Sequence, residues 1–445
     1  MTTNNFGQKL RSLRLQRGLS QNDLAEPGLS AGYISLLENG KRPPTSEVIL
    51  RIAARLDVSP EVLSSAQEVS AQPRATDIAE PDYATQISLL QGDLAFADGD
   101  ISAACDIFEA ALENAVHSVA DQMEAIHRLA HACEHLGELD RAVELYRQWL
   151  DLHQRQRGSG WVHKWLVCAT ALTRCMLELG RLDEAVTFGV ESLAQARTLG
   201  VHETPPAVEL ASSVQYTHHC RGDDGRTDID SGAVEEAATA FLSRDVQVAA
   251  YSEAARAAEE NGDQESAHAL LVEALHTKVM ESRAVAADRV AVTAMAHISY
   301  QGGRIPAQLQ LDVRPAVQRL QGHGTAVDAA LGTAGFANIL LNSGESEEAH
   351  RTATEALATM PAAYRLSRAQ TVLTIGRALR DLSQYQQAQD SYESASALLI
   401  DMGLGWLGAN ALFELAEMLE HAGDASGALS VYRTASKTLR VPRGT

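Results

Sequence analysis

Aromatic residues, cysteines and long apolar runs are all scarce in this 445-residue sequence. Phe, Trp and Tyr make up 5% of it although 45% is hydrophobic, which favours close helix-on-helix packing through small aliphatic residues. Because the five cysteines are scattered and never form a CxxC pair, we expect a reduced, cytoplasmic protein without a disulfide framework or a structural zinc site. The sequence has no run of about eighteen apolar residues and no secretory-signal pattern at its start, so we expect no membrane span.

The motifs that carry common enzyme chemistry are also missing. There is no GxxxxGKS/T phosphate loop, no GxSxG nucleophile turn and no HExxH zinc motif. Pairs of carboxylates are so frequent in an acidic chain that they carry no weight. His127, His131 and His135 are spaced for one helix face, but nothing else in the sequence calls for a metal. We therefore expect a protein that is not an enzyme and that binds neither a metal nor another cofactor.

Charge is unevenly divided along the chain. The net charge is −21, but residues 1–66 hold eight basic and six acidic side chains, a balance of +2. The remaining residues hold 29 basic and 52 acidic side chains, a balance of −23. Such asymmetry favours a nucleic-acid-binding module joined to an acidic body that does not adhere to DNA indiscriminately.

Apolar periodicity and capping residues predict five short helices within residues 1–66. Gly18 is expected to end the first helix, and Ser20, Ser30 and Ser46 are expected to cap the next three. Pro60 stands at the first position of the last helix, where proline is well tolerated. A tight turn separates the second helix from the third, an arrangement that places one helix in the major groove of DNA.

The segment LSQNDLAE…LSAGYISLLENGKRPPTSEVILRIAARLDVSPEVL resembles the Xre family of helix-turn-helix domains, and the resemblance covers residues 6–63. It combines SQxxLA, then ISLLENGKRPP, then the ending IAxxLxVS. The resemblance implies that the helix beginning near Ser30 is the recognition helix and that a basic loop after it touches the DNA backbone. The DNA-binding residues that it implies are Gln21, Ser30, Ala31, Gly32, Tyr33, Ser35, Asn39, Lys41 and Arg42.

The groove-facing end of this recognition helix is sparse, since it begins Ser30, Ala31 and Gly32. It offers no Arg, Asn or Gln for a bidentate base contact, so we expect affinity to depend on phosphate contacts and on dimer spacing. Ser30, Tyr33 and Ser35 would supply what direct readout there is. A degenerate domain that no longer binds DNA, or one that uses this face on a protein, is the alternative.

Residues 67–83 are small, polar and proline-bearing, as is typical of an interdomain linker. Beyond them, residues 84–445 repeat a spacing in which a small residue precedes an alanine by twelve positions, as Gly92 precedes Ala104. A large side chain follows four residues later, Phe108 in this repeat and Leu271 in a later one. The alanines at this position are Ala104, Ala142, Ala185, Ala267, Ala349, Ala388 and Ala428.

This spacing is typical of tetratricopeptide repeats, which are pairs of antiparallel helices. Two longer gaps between the alanines predict degenerate repeats at 207–243 and about 285–322, which brings the expectation to about nine helical hairpins. We therefore predict an all-α protein: a five-helix helix-turn-helix domain, then a right-handed α-solenoid.

The first helices of such repeats line a continuous concave face that binds extended peptides or partner proteins. On this face, Asn can bridge a peptide backbone and Arg can hold a carboxylate. The inward-facing ligand candidates given by the repeat phase are His127, His131, Arg174, Arg256, Asn338, Arg377, Arg380 and Asn410.

The combination of an Xre-like domain with these repeats resembles the RRNPP regulators, the peptide-pheromone receptors of bacteria. That resemblance implies a homodimeric transcription factor in quorum sensing, which binds an inverted-repeat operator in double-stranded DNA and is switched by a short signalling peptide or small ligand. Two alternatives stay open. The repeats of a protein-interaction adaptor would bind a partner protein, and those of a constitutive dimeric repressor would only dimerise.

Overall fold

A computed structural model of this chain divides into two units, Met1–Pro81 and Asp82–Thr445, which are described separately. The residues that the structure describes contain no β-strand, and none of their helices is long and apolar enough to cross a membrane. In the first unit the described residues are 10, 11, 13, 14, 21, 24, 29–38, 42 and 44–56. In the second unit they are 83–115, 118–155, 161–223, 229–241, 243–279, 281–301 and 307–440.

The first unit contains two described helices, α1 (Ala31–Glu38) and α2 (Ser46–Arg55). The other three helices predicted there fall largely outside the described residues. The apolar side of α1 and α2 packs on a small core in which Leu10, Ile34 and Leu56 are fully buried. The expected cap of α2 is wrong by one residue: the Oγ1 of Thr45 accepts from the Val48 amide at 3.4 Å, and Ser46 already lies inside the helix. Threonine serves as well as serine at an N-cap because each has a side-chain oxygen to accept that bond.

In the part of the second unit that the structure describes, eighteen helices follow one another as nine antiparallel hairpins. Helical hairpins also cover the two stretches predicted as degenerate repeats, with helices at 205–221 and 231–240 and at 281–300 and 307–323. The predicted linker lies outside the described residues except for Tyr83, with which α3 begins. The helices are α3 (Tyr83–Ala97), α4 (Ile101–Asn114), α5 (Val119–Leu136), α6 (Leu139–Arg155), α7 (Val162–Glu178), α8 (Leu182–Thr198), α9 (Pro205–Arg221), α10 (Ser231–Ala240), α11 (Arg244–Glu260), α12 (Gln264–Val279), α13 (Glu281–Tyr300), α14 (Ala307–His323), α15 (Ala326–Asn342), α16 (Ser346–Thr359), α17 (Arg365–Asp381), α18 (Tyr385–Asp401), α19 (Gly405–His421) and α20 (Ala425–Arg440).

The repeated small residues lie where the two helices of a hairpin cross. All seven alanines of the pattern are buried, and the Phe108, Tyr146 and Tyr392 side chains fill the space beside them. At Gly92 an added Cβ would overlap the ring of Phe108, so only glycine permits this approach of α3 to α4. The sequence spacing thus reports a steric requirement of the hairpin.

A left-handed residue ends the first helix of each hairpin whose turn the structure describes. Its positive φ reverses the chain within a few residues, a conformation that costs glycine little because it has no Cβ. Ser383 (φ 62°) takes this position in the α17–α18 hairpin. The glycines that take it elsewhere are Gly99, Gly137, Gly180, Gly222, Gly262, Gly344 and Gly423.

The stacking of the hairpins is irregular at α11–α12. Helix α13 packs on α15, α9 and α10 as well as on its hairpin partner α14, and α12 touches α13 only lightly. The α11–α12 hairpin instead reaches α7, where the rings of Tyr251 and His163 lie 5.4 Å apart. Leu271, which follows the repeat alanine Ala267 by four positions, is 52% exposed. The next hairpin does not cover it, and Leu271 therefore lies on an uncovered side of α12.

The third and fourth hairpins of the second unit pack against the eighth and ninth. Helix α7 contacts α17, and α9 contacts α19. A cluster that includes Leu177, Tyr216, Leu366, Leu399 and Leu407 joins the third and fourth hairpins to the eighth and ninth. The groove lined by the first helices is consequently closed into an internal cavity.

We expect Gly92→Ala to destabilise the second unit by about 1–3 kcal/mol, the usual cost of overpacking a core, because the Phe108 ring is buried and has little room to move. The matched control is Gly322→Ala on α14, where an added Cβ meets nothing within 4 Å and alanine is the better helix former. Urea unfolding of both variants checks this. Equal midpoints for the two variants would contradict the close crossing of α3 and α4.

Candidate DNA-binding surface and central cavity

The α1 helix is held in place by a buried polar network behind it. The Arg14 guanidinium donates two hydrogen bonds to the Glu38 carboxylate, at 2.6 and 3.1 Å, and the Gln21 amide donates a third at 2.7 Å. Burial pushes the pKa of Glu38 up, but the Arg14 and Gln21 hydrogen bonds outweigh it and the net pKa is lowered. Glu38 is therefore a charged anchor that fixes α1 within its unit.

The N-terminal part of α1 carries most of the residues of the predicted DNA-reading surface. Ser30 and Gly32 are exposed, Tyr33 and Ser35 are half-buried, and the Ser30 Oγ caps the helix by accepting from the Tyr33 amide at 3.2 Å. The Arg42 guanidinium lies over the Tyr33 ring, 4.9 Å from its centroid. This places one cation beside the N-terminus of α1, where anions are favoured.

The structure describes the remaining predicted DNA-binding residues only in part. Ala31 is the first residue of α1, with only its backbone described, and Asn39 and Lys41 lie outside the described residues. The Gln21 amide is engaged by Glu38, as shown above. Contacts of these residues with DNA therefore stay predictions.

The second unit encloses a cavity of about 60 Å³ between the first helices of six hairpins. Glu134 and His135 of α5, together with Arg174 and Glu178 of α7, line one side of it. The other walls come from α9, α13, α15 and the start of α17. They include Tyr216, Arg289, His297, Tyr300, Asp328, Tyr364 and Ser367.

An ion triad joins three neighbouring first helices beside this cavity. The Arg174 guanidinium donates to Glu134 at 2.7 Å and to Glu209 of α9 at 2.5 Å. All three side chains are at most 12% exposed. Burial pushes the pKa of Glu134 up, but the charges of Arg174, His135 and Arg289 outweigh it, so the net pKa is lowered. The positive charge of Arg174 is thus paired with two carboxylates of the protein itself.

A second set of charged and polar side chains connects α5 with α15 across the cavity. The Nε2 atom of His135 lies 3.6 Å from an Asp328 carboxylate oxygen, and Arg289 of α13 lies 3.8 Å from the other oxygen. The buried Nε atom of Arg289 has no hydrogen-bond partner among the described residues. Although burial opposes it, the His135 hydrogen bond and the Arg289 charge hold the pKa of Asp328 far below its usual range.

Glu178 differs from the other cavity carboxylates because it faces no cation directly. Its two oxygens accept from the amide of Ser367, at 3.1 Å, and from the Ser367 hydroxyl. Burial raises the pKa of Glu178, and the hydrogen bonds and the more distant charge of Arg174 offset this only in part. Burial and the Arg174 charge likewise lower the pKa of nearby His297 to about 3, which keeps this imidazole neutral.

Of the eight predicted ligand residues, Arg174 lines the cavity, in the triad described above. Two other arginines are held by acidic partners: Arg377 pairs with Glu414, and Arg380 pairs with Asp381. Arg256 is exposed on α11, where it pairs with two glutamates of its own helix.

The other four predicted ligand residues lie on first helices but do not line the cavity. Asn338 is fully buried and donates to the Ser299 hydroxyl at 2.9 Å. His131 packs against Phe96 with ring centroids 5.0 Å apart. His127 and Asn410 are half-buried. Among the described residues, no group of three or more His, Cys, Asp or Glu side chains is placed to hold a metal ion.

Sequence reasoning missed most of the charged cavity lining. Glu134, Glu178 and Asp328 stand in a chain with 58 acidic residues, so nothing in their spacing marks them out. A detectable signal was their position on first helices, each next to small or apolar residues. That signal is weak because most acidic residues of the repeats share it.

Known protein families match segments in both units of the chain. The helix-turn-helix family profile matches residues 10–63, and two tetratricopeptide-repeat profiles match residues 125–158 and 373–437. The chain carries an N-terminal helix-turn-helix domain and tetratricopeptide repeats. Both matched families are non-enzymatic.

Two curated relatives share the helix-turn-helix part. The transcriptional regulator PrpR of Mycobacterium tuberculosis is 45% identical over 60 residues, 13% of this chain and 12% of that protein. RghRB of Bacillus subtilis, named an uncharacterized transcriptional regulator, is 38% identical over 89 residues, 19% of this chain and 64% of that protein. The chain thus spans less than two thirds of the length of either relative.

Two solved structures align along much of the chain. PlcR of Bacillus thuringiensis, in complex with a peptide and DNA, is 13% identical with a TM-score of 0.30, over 78% of this chain and 99% of that one. A Rap protein complexed with competence and sporulation factor is 10% identical with a TM-score of 0.41, over 98% of both chains. At these identities and TM-scores, neither likeness extends to function.

We expect Arg174→Met to lower the free energy of unfolding by about 3–5 kcal/mol, because it leaves two buried carboxylates without their cation. The matched control is Arg256→Met, which also removes an arginine from between two glutamates but on an exposed helix face. Its unfolding midpoint in urea is expected to change little. Similar losses for both variants would show that the cavity triad adds nothing beyond a surface ion pair.

The raised pKa of Glu178 predicts a pH-dependent stability difference. The folded protein binds the Glu178 proton more tightly than the unfolded chain, so the wild type loses stability as the pH rises above the ordinary glutamate value of 4.5. Glu178→Gln retains an acceptor for Ser367 and avoids this loss. We expect the variant to melt above the wild type at neutral pH, with the gap closing in acid. Glu191→Gln, an exposed position on α8, is the control, and a pH-independent gap for Glu178→Gln would contradict the assignment.

Proposed function

We propose that this protein is a sequence-specific DNA-binding transcriptional regulator whose affinity for its operator is modulated by a ligand bound in the cavity of the repeats. The observation that carries the proposal is the joining, in one chain, of a helix-turn-helix domain and a repeat unit closed around a charged cavity. Two curated helix-turn-helix regulators, similar to this chain over 60 and 89 residues, support the first half of it.

The DNA-binding half of the proposal rests on α1 and its surroundings. The Arg14–Glu38 pair fixes the helix from behind, and its N-terminus presents Ser30 and Gly32 to solvent. Arg42 supplies a positive charge next to that end. Backbone amides at a helix N-terminus and a nearby guanidinium suit a phosphate. We infer that phosphate contacts provide most of the affinity and that a homodimer on an inverted repeat provides the spacing.

The modulation half rests on the polar contacts that close the cavity. The Tyr364 hydroxyl donates to the Glu134 carbonyl at 2.9 Å, and Ser367 donates to Glu178, so the eighth hairpin is tied to the second and third. A ligand that enters must compete with these contacts or add to them. It therefore binds open and closed forms of the unit with different affinity, which is the condition for shifting a conformational equilibrium. We propose a peptide, or another small ligand, in this role.

The DNA-binding half predicts a steep salt dependence of binding. The full-length protein would first select duplexes from a random library at low salt, and its affinity for them would then be measured against salt concentration. Arg42→Gln is expected to weaken binding uniformly across sequences and to reduce the log–log salt slope by about 1, because one phosphate contact is lost. Arg256→Gln in the repeats serves as the control. Undetectable DNA binding at low salt would overturn the proposal.

The modulation half is tested by mapping bound genomic DNA with and without spent culture medium. A change in occupancy that disappears after protease treatment of the medium supports a peptide, and one that survives it supports another small ligand. Unchanged occupancy, together with capture of one stoichiometric protein partner, would favour an adaptor instead. Unchanged occupancy without a partner would favour a constitutive repressor.

A further inference from the structure

Glu178 is a buried carboxylate whose hydrogen-bond donors are supplied but whose positive partner is missing. Glu134 and Asp328 each face a guanidinium or an imidazole, whereas Glu178 accepts hydrogen bonds from the Ser367 amide and hydroxyl and from the Leu366 amide. Arg174 is the nearest buried cation that acts on it, and its hydrogen bonds already go to Glu134 and Glu209. Removing a carboxylate from water without a cation is unfavourable, so such a group in a cavity wall is suited to an incoming positive charge.

Aromatic groups line the same cavity as this carboxylate. The Tyr216 ring stacks on His297 with centroids 4.5 Å apart and lies 5.9 Å from the Tyr300 ring. Burial first, and then the Glu178 charge, raise the pKa of the Tyr300 hydroxyl. Aromatic faces attract cations, and a neutral His297 does not compete for the carboxylate.

The cavity also contains the hydroxyl of Tyr216. Tyr216 is 3% exposed and lines the cavity, its hydroxyl neighbours the Cys220 thiol, and its Oη accepts no hydrogen bond from the described residues. A hydroxyl oxygen carries two acceptor lone pairs. A ligand group that donates hydrogen bonds can therefore bind to it.

The size of the cavity limits what can enter. A volume of about 60 Å³ accommodates a few non-hydrogen atoms, since one water molecule occupies about 30 Å³ in the liquid. The enclosed space therefore suits the end group of a ligand, with the rest of the ligand outside it.

We propose that the cavity binds the primary ammonium group of a ligand, with Glu178 as its counter-ion and the Tyr216 hydroxyl as a further acceptor. An ammonium group has three donors and no acceptor, which matches a carboxylate and a hydroxyl without a cationic neighbour. The inference rests on the proposed function, because it names the chemistry of the ligand at the same cavity. The ammonium group belongs either to the amino terminus of a peptide or to a small amine.

The test uses the full-length protein and three probes: leucyl-glycinamide, its N-acetyl form and putrescine. Binding is measured by calorimetry, with the shift in melting temperature as a second readout. We expect at least one free amine to bind and N-acetylation to abolish binding of the peptide. We also expect Glu178→Gln to weaken binding of the amine at least tenfold, while the exposed control Glu191→Gln leaves it unchanged. Tyr216→Phe, which removes the hydroxyl acceptor and keeps the ring, tests the site if the first variant fails to fold, and it should weaken binding several-fold.

The outcomes separate the source of the ammonium group from the site itself. Binding of leucyl-glycinamide that is lost on Glu178→Gln supports a peptide terminus, and such binding of putrescine alone supports a small amine. The proposal is overturned if no free amine binds, if the N-acetyl form binds as tightly as the free peptide, or if Glu178→Gln and Tyr216→Phe both bind like the wild type.

Operator affinity, measured in parallel, distinguishes failure of the ammonium site from failure of the proposed modulation of DNA binding. An amine that binds through Glu178 without changing operator affinity contradicts the proposed modulation and leaves the site intact. Modulation of operator affinity by spent medium, without binding of any free amine, supports the proposed modulation and overturns the ammonium site.

Discussion

The closed form of the repeats depends on the burial of Arg174 between Glu134 and Glu209. Three charges are taken out of water there, and this is tolerable only because each has a partner at hydrogen-bond distance. Glu134 also accepts from the Tyr146 hydroxyl of its own hairpin, while its backbone carbonyl accepts from Tyr364, 230 residues away. The triad that aligns α5, α7 and α9 therefore lies directly beside the contact that closes the groove.

The packing of α17 on the cavity and the pairing of the buried charges stabilise each other. With α17 in place, Tyr364 and Ser367 satisfy groups on α5 and α7 and help to exclude water from the triad. In drier surroundings each ion pair is stronger, but each unmatched charge is also more costly. Glu178 is the buried carboxylate that has hydrogen-bond donors but no cation facing it directly. An incoming cation would therefore act on the closed form most strongly at that residue, which makes the cavity a reasonable point of control for the unit.

The repeat architecture could be predicted from sequence because the hairpin crossing is a local steric requirement. Gly92 lies against the Phe108 ring within one hairpin, and the spacing of Gly92, Ala104 and Phe108 shows in the sequence whatever the rest of the chain does. Capping was predictable to within one residue, since Thr45 and Ser46 offer the same chemistry. Closure was not predictable, because the contact of Tyr364 with Glu134 joins residues that no local pattern connects.

The same contrast explains why most residues that line the cavity were not among the predicted ligand residues. Repeat phase identifies which side of a helix faces the axis only while successive hairpins stack regularly, and α11–α12 interrupts that regularity. With this hairpin displaced toward α7, helix α13 packs on α9 and brings Arg289, His297 and Tyr300 into the cavity wall. Arg256, on the displaced hairpin, is left on an outer surface. The irregularity thus supplies half of the cavity chemistry, so the least repeat-like part of the body is where evidence for its ligand should be sought.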